Sequence, residues 1–180
     1  MVLLVQYTLI FASVLALVAL GGCFSEHSGV INIGLEGIMV MGALGGALAM
    51  KFLPATTPGI VLFILIVLAS VLVGMAFSLL LGFAAIHFNA DQTLVGTALN
   101  LMGTAAAVVI VRAINVAENP DNVSSTVVYR QAKQVFLVKI GDFEFNWFML
   151  IIVLAIIASH IVLYRTKFGL RLCACGEHPQ

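Results

Sequence analysis

Residues 21–37 of this 180-residue chain read GGCFSEHSGVINIGLEG and separate two apolar segments. This stretch contains five glycines and several polar side chains between them. Such a composition is incompatible with one ordinary lipid-facing helix, so we expect the helix to break here. Non-helical backbone at membrane depth is tolerated only where protein or a water-filled cavity shelters it. A plain cytoplasmic turn is the alternative, and the sequence leaves open whether residues 22–36 re-enter the membrane or lie in the cytoplasm.

The overall composition places the chain in a membrane. Apolar residues make up 62% of the sequence and charged residues 9%, which leaves too little polar surface to cover a soluble globule of this length. Eight basic residues balance eight acidic ones, so no net charge favours a nucleic-acid partner. The three cysteines are an odd number without the spacing of a disulfide framework. We therefore expect the bilayer to hold the fold together.

Five apolar runs approach or exceed the roughly 20 residues that a helix needs to cross the hydrocarbon core. They cover residues 2–21, 33–50, 59–88, 93–114 and 147–164. None shows the strict alternation of a barrel strand, so helices are expected. The predicted fold is all-α: a polytopic transmembrane helix bundle in a single transmembrane domain that extends over residues 1–180.

Basic residues set the predicted orientation, because cytoplasmic flanks of membrane helices are enriched in Lys and Arg. Arg165, Lys167 and Arg171 follow the fifth run, so this end is predicted to be cytoplasmic and residues 115–146 to form an extracytoplasmic loop. Runs at 123–128 and 135–140 suggest a small hairpin in that loop. A signal peptide is disfavoured because no Lys or Arg precedes Lys51 and a second apolar run follows at once.

Small residues recur every four positions and predict close helix packing. They are Gly42 and Gly46 in the second run, and Ser70, Gly74, Ser78 and Gly82 in the third. In the fourth run Asn100 lies in a similar stripe, and a buried amide in lipid needs a hydrogen-bond partner. The sequence leaves two roles open for this side chain, which are lining a channel and bonding to another helix.

Asn32 and Glu36 are spaced by one helical turn at the start of the second run, so they are expected to share a face. Ionisable residues inside a membrane usually have a function. Broken helices of this kind often line transport paths. We therefore expect both side chains to face the protein interior or a polar cavity.

Three segments resemble the permeases of the branched-chain amino acid and simple-sugar group of ABC importers. Residues 24–37, FSEHSGVINIGLEG, are similar to the signature of that group, and most similar to its nucleoside-type members. Residues 89–100, NADQTLVGTALN, resemble the segment that follows. Residues 166–179, TKFGLRLCACGEHP, resemble the cytoplasmic segment that docks on the ATPase. Members of the group continue through further helices, so the resemblance implies an N-terminal fragment.

The resemblance implies the membrane-spanning subunit of an ATP-driven importer for nucleosides or related small sugars, in the bacterial cytoplasmic membrane. Implied partners are an ABC ATPase subunit, a second permease subunit or an identical copy, an extracytoplasmic substrate-binding lipoprotein and membrane lipid, but no nucleic acid. No cofactor, metal or catalytic residue is implied. The expected substrate path comprises Asn32, Glu36, Gln92 and Asn100. Residues 165–180 are expected to form the start of the cytoplasmic coupling segment. The expected ATPase-coupling residues in it are Gly169, Arg171, Gly176, Glu177 and Pro179.

Other functions fit the sequence less well. A ribose-type monosaccharide importer remains the nearest alternative, and a secondary transporter or channel leaves residues 169–179 unexplained. An intramembrane enzyme would need a catalytic cluster that the spacing does not provide, and no phosphate-binding loop is present. Cys173, Cys175 and His178 lack the second ligand pair that is typical of a zinc site.

The predicted orientation is testable with the cysteines of the full-length protein. In a Cys23→Ser variant, an impermeant maleimide applied to intact cells should leave Cys173 and Cys175 unmodified, because both should face the cytoplasm. A Ser125→Cys control in the same background should be modified. Labelling of Cys173 or Cys175 without permeabilisation would contradict the orientation.

Overall fold

The computed structural model describes residues 2–54, 57–127, 137–140 and 143–177. These residues form six helices and two short strands. In chain order they are α1 (Val2–His27), α2 (Leu35–Phe52), α3 (Gly59–His87), α4 (Gln92–Glu118), β1 (Leu137–Ile140), β2 (Phe143–Asn146), α5 (Trp147–Arg165) and α6 (Lys167–Glu177). Two compact units result, one from Met1–Asn32 with Phe136–Gln180 and the other from Ile33–Val135. That division falls inside the non-helical link between α1 and α2.

The helices confirm the predicted membrane bundle. Four of them, α1 to α4, are long and apolar enough to cross a membrane. The pair α5 and α6 passes the same test together but bends by 69° at Thr166, which makes up to five spans among the described residues. The chain is therefore a multi-pass membrane protein whose fold is a helix bundle.

Helix α1 is longer than expected, because it continues through Gly21 and Gly22 to His27. It ends where Gly29 takes a positive φ of 78°, a backbone conformation that costs glycine nothing. The amide of Val30 donates to the carbonyl of Ser25 at 3.1 Å, and that of Gly29 to Glu26 at 3.0 Å. These two bonds define a Schellman motif. The break is thus confined to residues 28–34 instead of beginning at Gly21.

Helices α2, α3 and α4 pack around a small core in the second unit. Phe77 and Leu81 of α3 meet Leu99 of α4, and all three are buried. Partly buried side chains of α2 and α4 surround them, namely Ile38, Met41 and Val95. The three helices therefore share one apolar seam, while the outward faces of α3 remain exposed as a lipid-facing surface requires.

Glycines bring these helices close together. A Cβ on Gly42 would lie 3.3 Å from the Ser70 carbonyl, and a Cβ on Gly74 would lie 3.8 Å from the Gly42 Cα. The close packing predicted for both stripes is confirmed at these positions, and the two stripes pack against each other. It does not extend to Gly82, because a Cβ there meets no described atom within 4 Å. The stripe on α3 is thus a helix contact in its first half and open in its second.

The connection between α3 and α4 is a tight turn. Asn89 adopts a left-handed φ of 48°, which asparagine tolerates better than most residues. Asp91 then caps α4, since its Oδ1 accepts from the amides of Leu94 at 3.3 Å and Thr93 at 2.8 Å. These two bonds hold the pKa of the Asp91 carboxyl below its ordinary value.

The predicted hairpin exists with a different partner strand. Strand β1 lies in the expected 135–140 run, but it pairs antiparallel with β2 and not with residues 123–128. Residues 122–127 have no regular secondary structure. The side-chain amide of Asn115 donates to the carbonyls of Ser124 and Thr126 at 2.9 and 3.0 Å. Bonded to the end of α4 in this way, those two carbonyls are not free for a sheet ladder.

The glycine contacts predict a position-dependent cost of adding one methyl group. A Cβ on Gly103 would lie 2.9 Å from both the Cα and the carbonyl oxygen of Gly37, so Gly103→Ala must separate α2 from α4. We expect a loss of about 1–3 kcal/mol in the free energy of unfolding. Gly82→Ala is the matched control, with a change within about 1 kcal/mol. Thermal unfolding of both purified variants measures the difference, and equal midpoints would refute the packing.

Candidate functional site

The start of α2 lacks the usual local cap. Gly34 occupies the N-cap position, where it has no side chain to bond the free amides of the first turn. Asn100 of α4 takes over this role from another helix. Its Oδ1 accepts from the Gly37 amide at 2.7 Å, and its Nδ2 donates to the Ile33 carbonyl at 2.8 Å. One side chain thus satisfies a donor and an acceptor at the broken end.

Glycines on both helices make this reach possible. A Cβ on Gly96 would lie 2.9 Å from the Gly34 amide nitrogen, and a Cβ on Gly37 would lie 2.5 Å from the Leu99 carbonyl oxygen. Both distances are shorter than any ordinary Cβ contact. The α2 backbone therefore rests directly on α4, where the short Asn100 side chain can bridge the two.

The interhelical role that the sequence left open for Asn100 is confirmed by these two bonds. The side chain is half-buried, and its amide can form further hydrogen bonds beyond the two described. Its membership in a substrate path stays a prediction.

The other predicted path residues are placed differently from one another. Asn32 lies in the non-helical link, so it does not share a helical face with Glu36 as expected, because α2 begins only at Leu35. Its Oδ1 is buried and has no hydrogen-bond partner among the described residues. Glu36 is exposed in the first turn of α2, where the helix dipole favours a negative charge. Gln92 is the half-buried first residue of α4.

A second candidate site is the bend between α5 and α6. Thr166 caps α6: its Oγ1 accepts from the Gly169 amide at 3.3 Å and also donates to the Val162 carbonyl at 2.6 Å. A Cβ on Gly169 would clash with the carbonyls of Val162 and Leu163. Glycine at this position therefore lets α6 turn tightly across the end of α5.

The predicted coupling residues lie on this short helix, with one exception. Gly169 is buried and Gly176 half-buried on the face that packs inward, while Arg171 and Glu177 are exposed. Gly176 lies within α6, and its backbone closely approaches that of His27 and Gly29. Pro179 and His178 lie outside the described residues. Within the described ranges, no three His, Cys, Asp or Glu side chains group as metal ligands.

The sequence did not reveal the polar cluster at the opposite end of α2. Lys51 Nζ lies 2.9 Å from a Glu118 carboxylate oxygen and 3.3 Å from Asn115 Oδ1, and Asn115 is only 2% exposed. This cluster joins the ends of α2 and α4 to residues 124–126. The available signal was the pair of polar residues, Asn115 and Glu118, spaced by three at the end of an apolar run.

The described residues form a multi-pass helix bundle in which α2 is capped by a side chain of α4 and the chain bends by 69° between α5 and α6. The sequence profile described as "Branched-chain amino acid transport system / permease component" matches residues 4–180. The chain belongs to this permease family.

Curated relatives agree with that assignment. The guanosine ABC transporter permease protein NupQ of Bacillus subtilis (strain 168) is 37% identical over 98% of this chain and 56% of its own length. The nucleoside ABC transporter permease protein NupC of Lactococcus lactis subsp. cremoris is 34% identical over 99% of this chain and 57% of its own. The putative glucose ABC transporter permease protein TsgC13 of Haloferax volcanii is 30% identical over 98% and 52%. The chain thus spans little more than half of each relative. No solved structure matches it.

Removing the cap that the Asn100 side chain supplies to α2 should destabilise the second unit. Asn100→Leu leaves the Gly37 amide and the Ile33 carbonyl without partners, at about 1–3 kcal/mol for each group that stays dry. Asn100→Asp keeps the acceptor for the Gly37 amide but sets a second carboxylate oxygen against the Ile33 carbonyl and adds a half-buried charge, so its loss should be at least as large. Unfolding of the two purified variants by heat checks this order. A leucine variant as stable as the wild type would show that the bonds contribute nothing.

Proposed function

We propose that the chain is part of the membrane-spanning permease subunit of an ATP-driven nucleoside importer in the bacterial cytoplasmic membrane. Two relatives that match nearly its whole length are named as guanosine and nucleoside ABC transporter permeases. The structural feature that supports the proposal most is the 69° bend at Thr166, which presents a short helix with an exposed polar face.

The first part of this mechanism is a passive path through the helices. A broken helix exposes backbone carbonyls and amides that an uncharged polar ligand can bond, and hydroxyl-rich nucleosides offer both donors and acceptors. Asn100 caps one side of the break, Asn32 and Glu36 supply further polar groups in the break and just after it, and Gln92 is the first residue of α4. Substrate would arrive from an extracytoplasmic binding lipoprotein.

The second part is the drive from a separate ATPase subunit. The exposed side chains of α6 include Lys167, Arg171 and Glu177, which suit a docking surface with charges of both signs. Closure of the ATPase would push on α6, and access to the path would alternate between the two sides of the membrane. A second permease subunit or an identical copy would complete the translocator.

Sugar import is the second candidate. The putative glucose ABC transporter permease of Haloferax volcanii matches almost the same residues at 30% identity. Nucleosides and monosaccharides share vicinal hydroxyl groups, so a path that bonds one class offers partial recognition of the other. The higher identity of the nucleoside relatives favours the nucleoside proposal.

Uptake by the full-length permease decides between these substrates. A host without its own nucleoside uptake would express the permease with its ATPase, its permease partner and its lipoprotein. We expect accumulation of labelled guanosine or uridine that is lost with Glu177→Arg, because the reversed charge opposes docking on the ATPase. Co-purification of the ATPase should fall with it. Accumulation of labelled glucose or ribose but of no nucleoside would overturn the proposal in favour of the sugar alternative.

A further inference from the structure

The end of α1 and the end of α6 touch through two glycines in the first unit. A Cβ on Gly176 would lie 2.5 Å from the His27 carbonyl oxygen and 2.9 Å from the Gly29 amide nitrogen. A Cβ on Gly29 would lie 3.0 Å from the Gly176 Cα. No side chain separates the two backbones here, so neither helix end can move toward the other without a steric clash.

The contact on the α1 side is stiff. The Schellman bonds of Gly29 and Val30 close the helix, and the Ser25 hydroxyl donates to the Val30 carbonyl at 2.8 Å. The Ser28 hydroxyl donates to the Ser25 carbonyl at 2.6 Å. Four hydrogen bonds thus fix residues 25–30 as one rigid turn, against which Gly176 rests.

Helix α6 is held at its other end as well. Gly169 lies against the last carbonyls of α5, and it is separated from Gly176 by seven residues, or about two helical turns. Both glycines therefore lie on the same face of α6. Contacts at two separated points along one face prevent a short helix from sliding or rolling on its neighbours.

We propose that Gly169 and Gly176 fasten α6 rigidly to α5 and to the end of α1, so that a push on α6 moves the α1 turn with it. From that turn the chain continues through residues 30–32 to Ile33, whose carbonyl accepts a hydrogen bond from Asn100. Gly29 and Gly176 would thus be positioning residues that carry motion from the ATPase side into the helix break. That an ATPase supplies the push rests on the proposed function. The contacts of Gly169 and Gly176 do not depend on it.

The native cysteines report on this rigidity. Cys23 on α1 and Cys175 on α6 are both exposed, so they accept spin labels once Cys173 is replaced by serine. In the full-length permease with its ATPase, we expect the same Cys23–Cys175 distance with and without a non-hydrolysable ATP analogue. Gly176→Ala should broaden or shift that distance, whereas Gly82→Ala should not. A wild-type distance that changes on binding the analogue would overturn the proposal.

Coupling efficiency supplies a readout that simple destabilisation would not change. With Gly176→Ala, the number of ATP molecules hydrolysed per molecule transported should rise, because part of each push on α6 would no longer reach the α1 turn. Misfolding alone would lower hydrolysis and transport together. If the wild type transports no nucleoside while the label distance stays constant, the substrate proposal fails and the rigid joint stands.

A partner-free measurement completes the test. Gly29→Ala and Gly176→Ala should each lower the thermal midpoint of the purified permease, and the double variant should lose less than the sum, because the first methyl group already parts the two backbones. Additive losses would show that the glycines act independently and would contradict the joint.

Discussion

The second unit depends on the requirement that the backbone polar groups at the start of α2 find hydrogen-bond partners. Gly34 supplies no side-chain cap, so the first turn of α2 would leave amides without a partner in its own helix. Asn100 satisfies the Gly37 amide and the Ile33 carbonyl from α4. Because the Asn100 side chain is short, α2 and α4 must lie close together for it to reach both groups. Gly37, Gly96 and Gly103 allow that close approach.

The first unit solves the same problem in a different way. Helix α1 ends with local Schellman bonds, so the Ser25 and Glu26 carbonyls need no partner from another helix. The backbone at His27 and Gly29 instead contacts the backbone of Gly176 in α6 directly. The non-helical link at residues 28–34 is thus closed by local bonds on the α1 side and capped by Asn100 on the α2 side.

Much of this arrangement was predictable because apolar length and glycine spacing act locally. The spans, the break and the close helix packing at Gly42 and Gly74 follow from such patterns, although the pairing of α2 with α3 does not. The end of α1 was placed too early, since Gly21 and Gly22 weaken a helix but only a positive φ at Gly29 stops it. The partners of Asn100 and of Asn115 were not predictable, because bonds across about 65 residues of sequence depend on how helices dock.

The same reasoning explains why glycine serves two distinct purposes in one chain. Gly37 and Gly103 allow static packing, since the helices they join are also held by a buried apolar seam. Among the described residues, the buried apolar cluster does not include the neighbours of Gly176, and Cys175 and Glu177 beside it are exposed. The Gly176 contact joins backbone to backbone, so the cost of adding a Cβ there comes from steric overlap and not from lost apolar burial. Under the proposed function, a stiff contact at this point would carry a displacement of α6 to the α1 turn, whereas a compliant contact would absorb it.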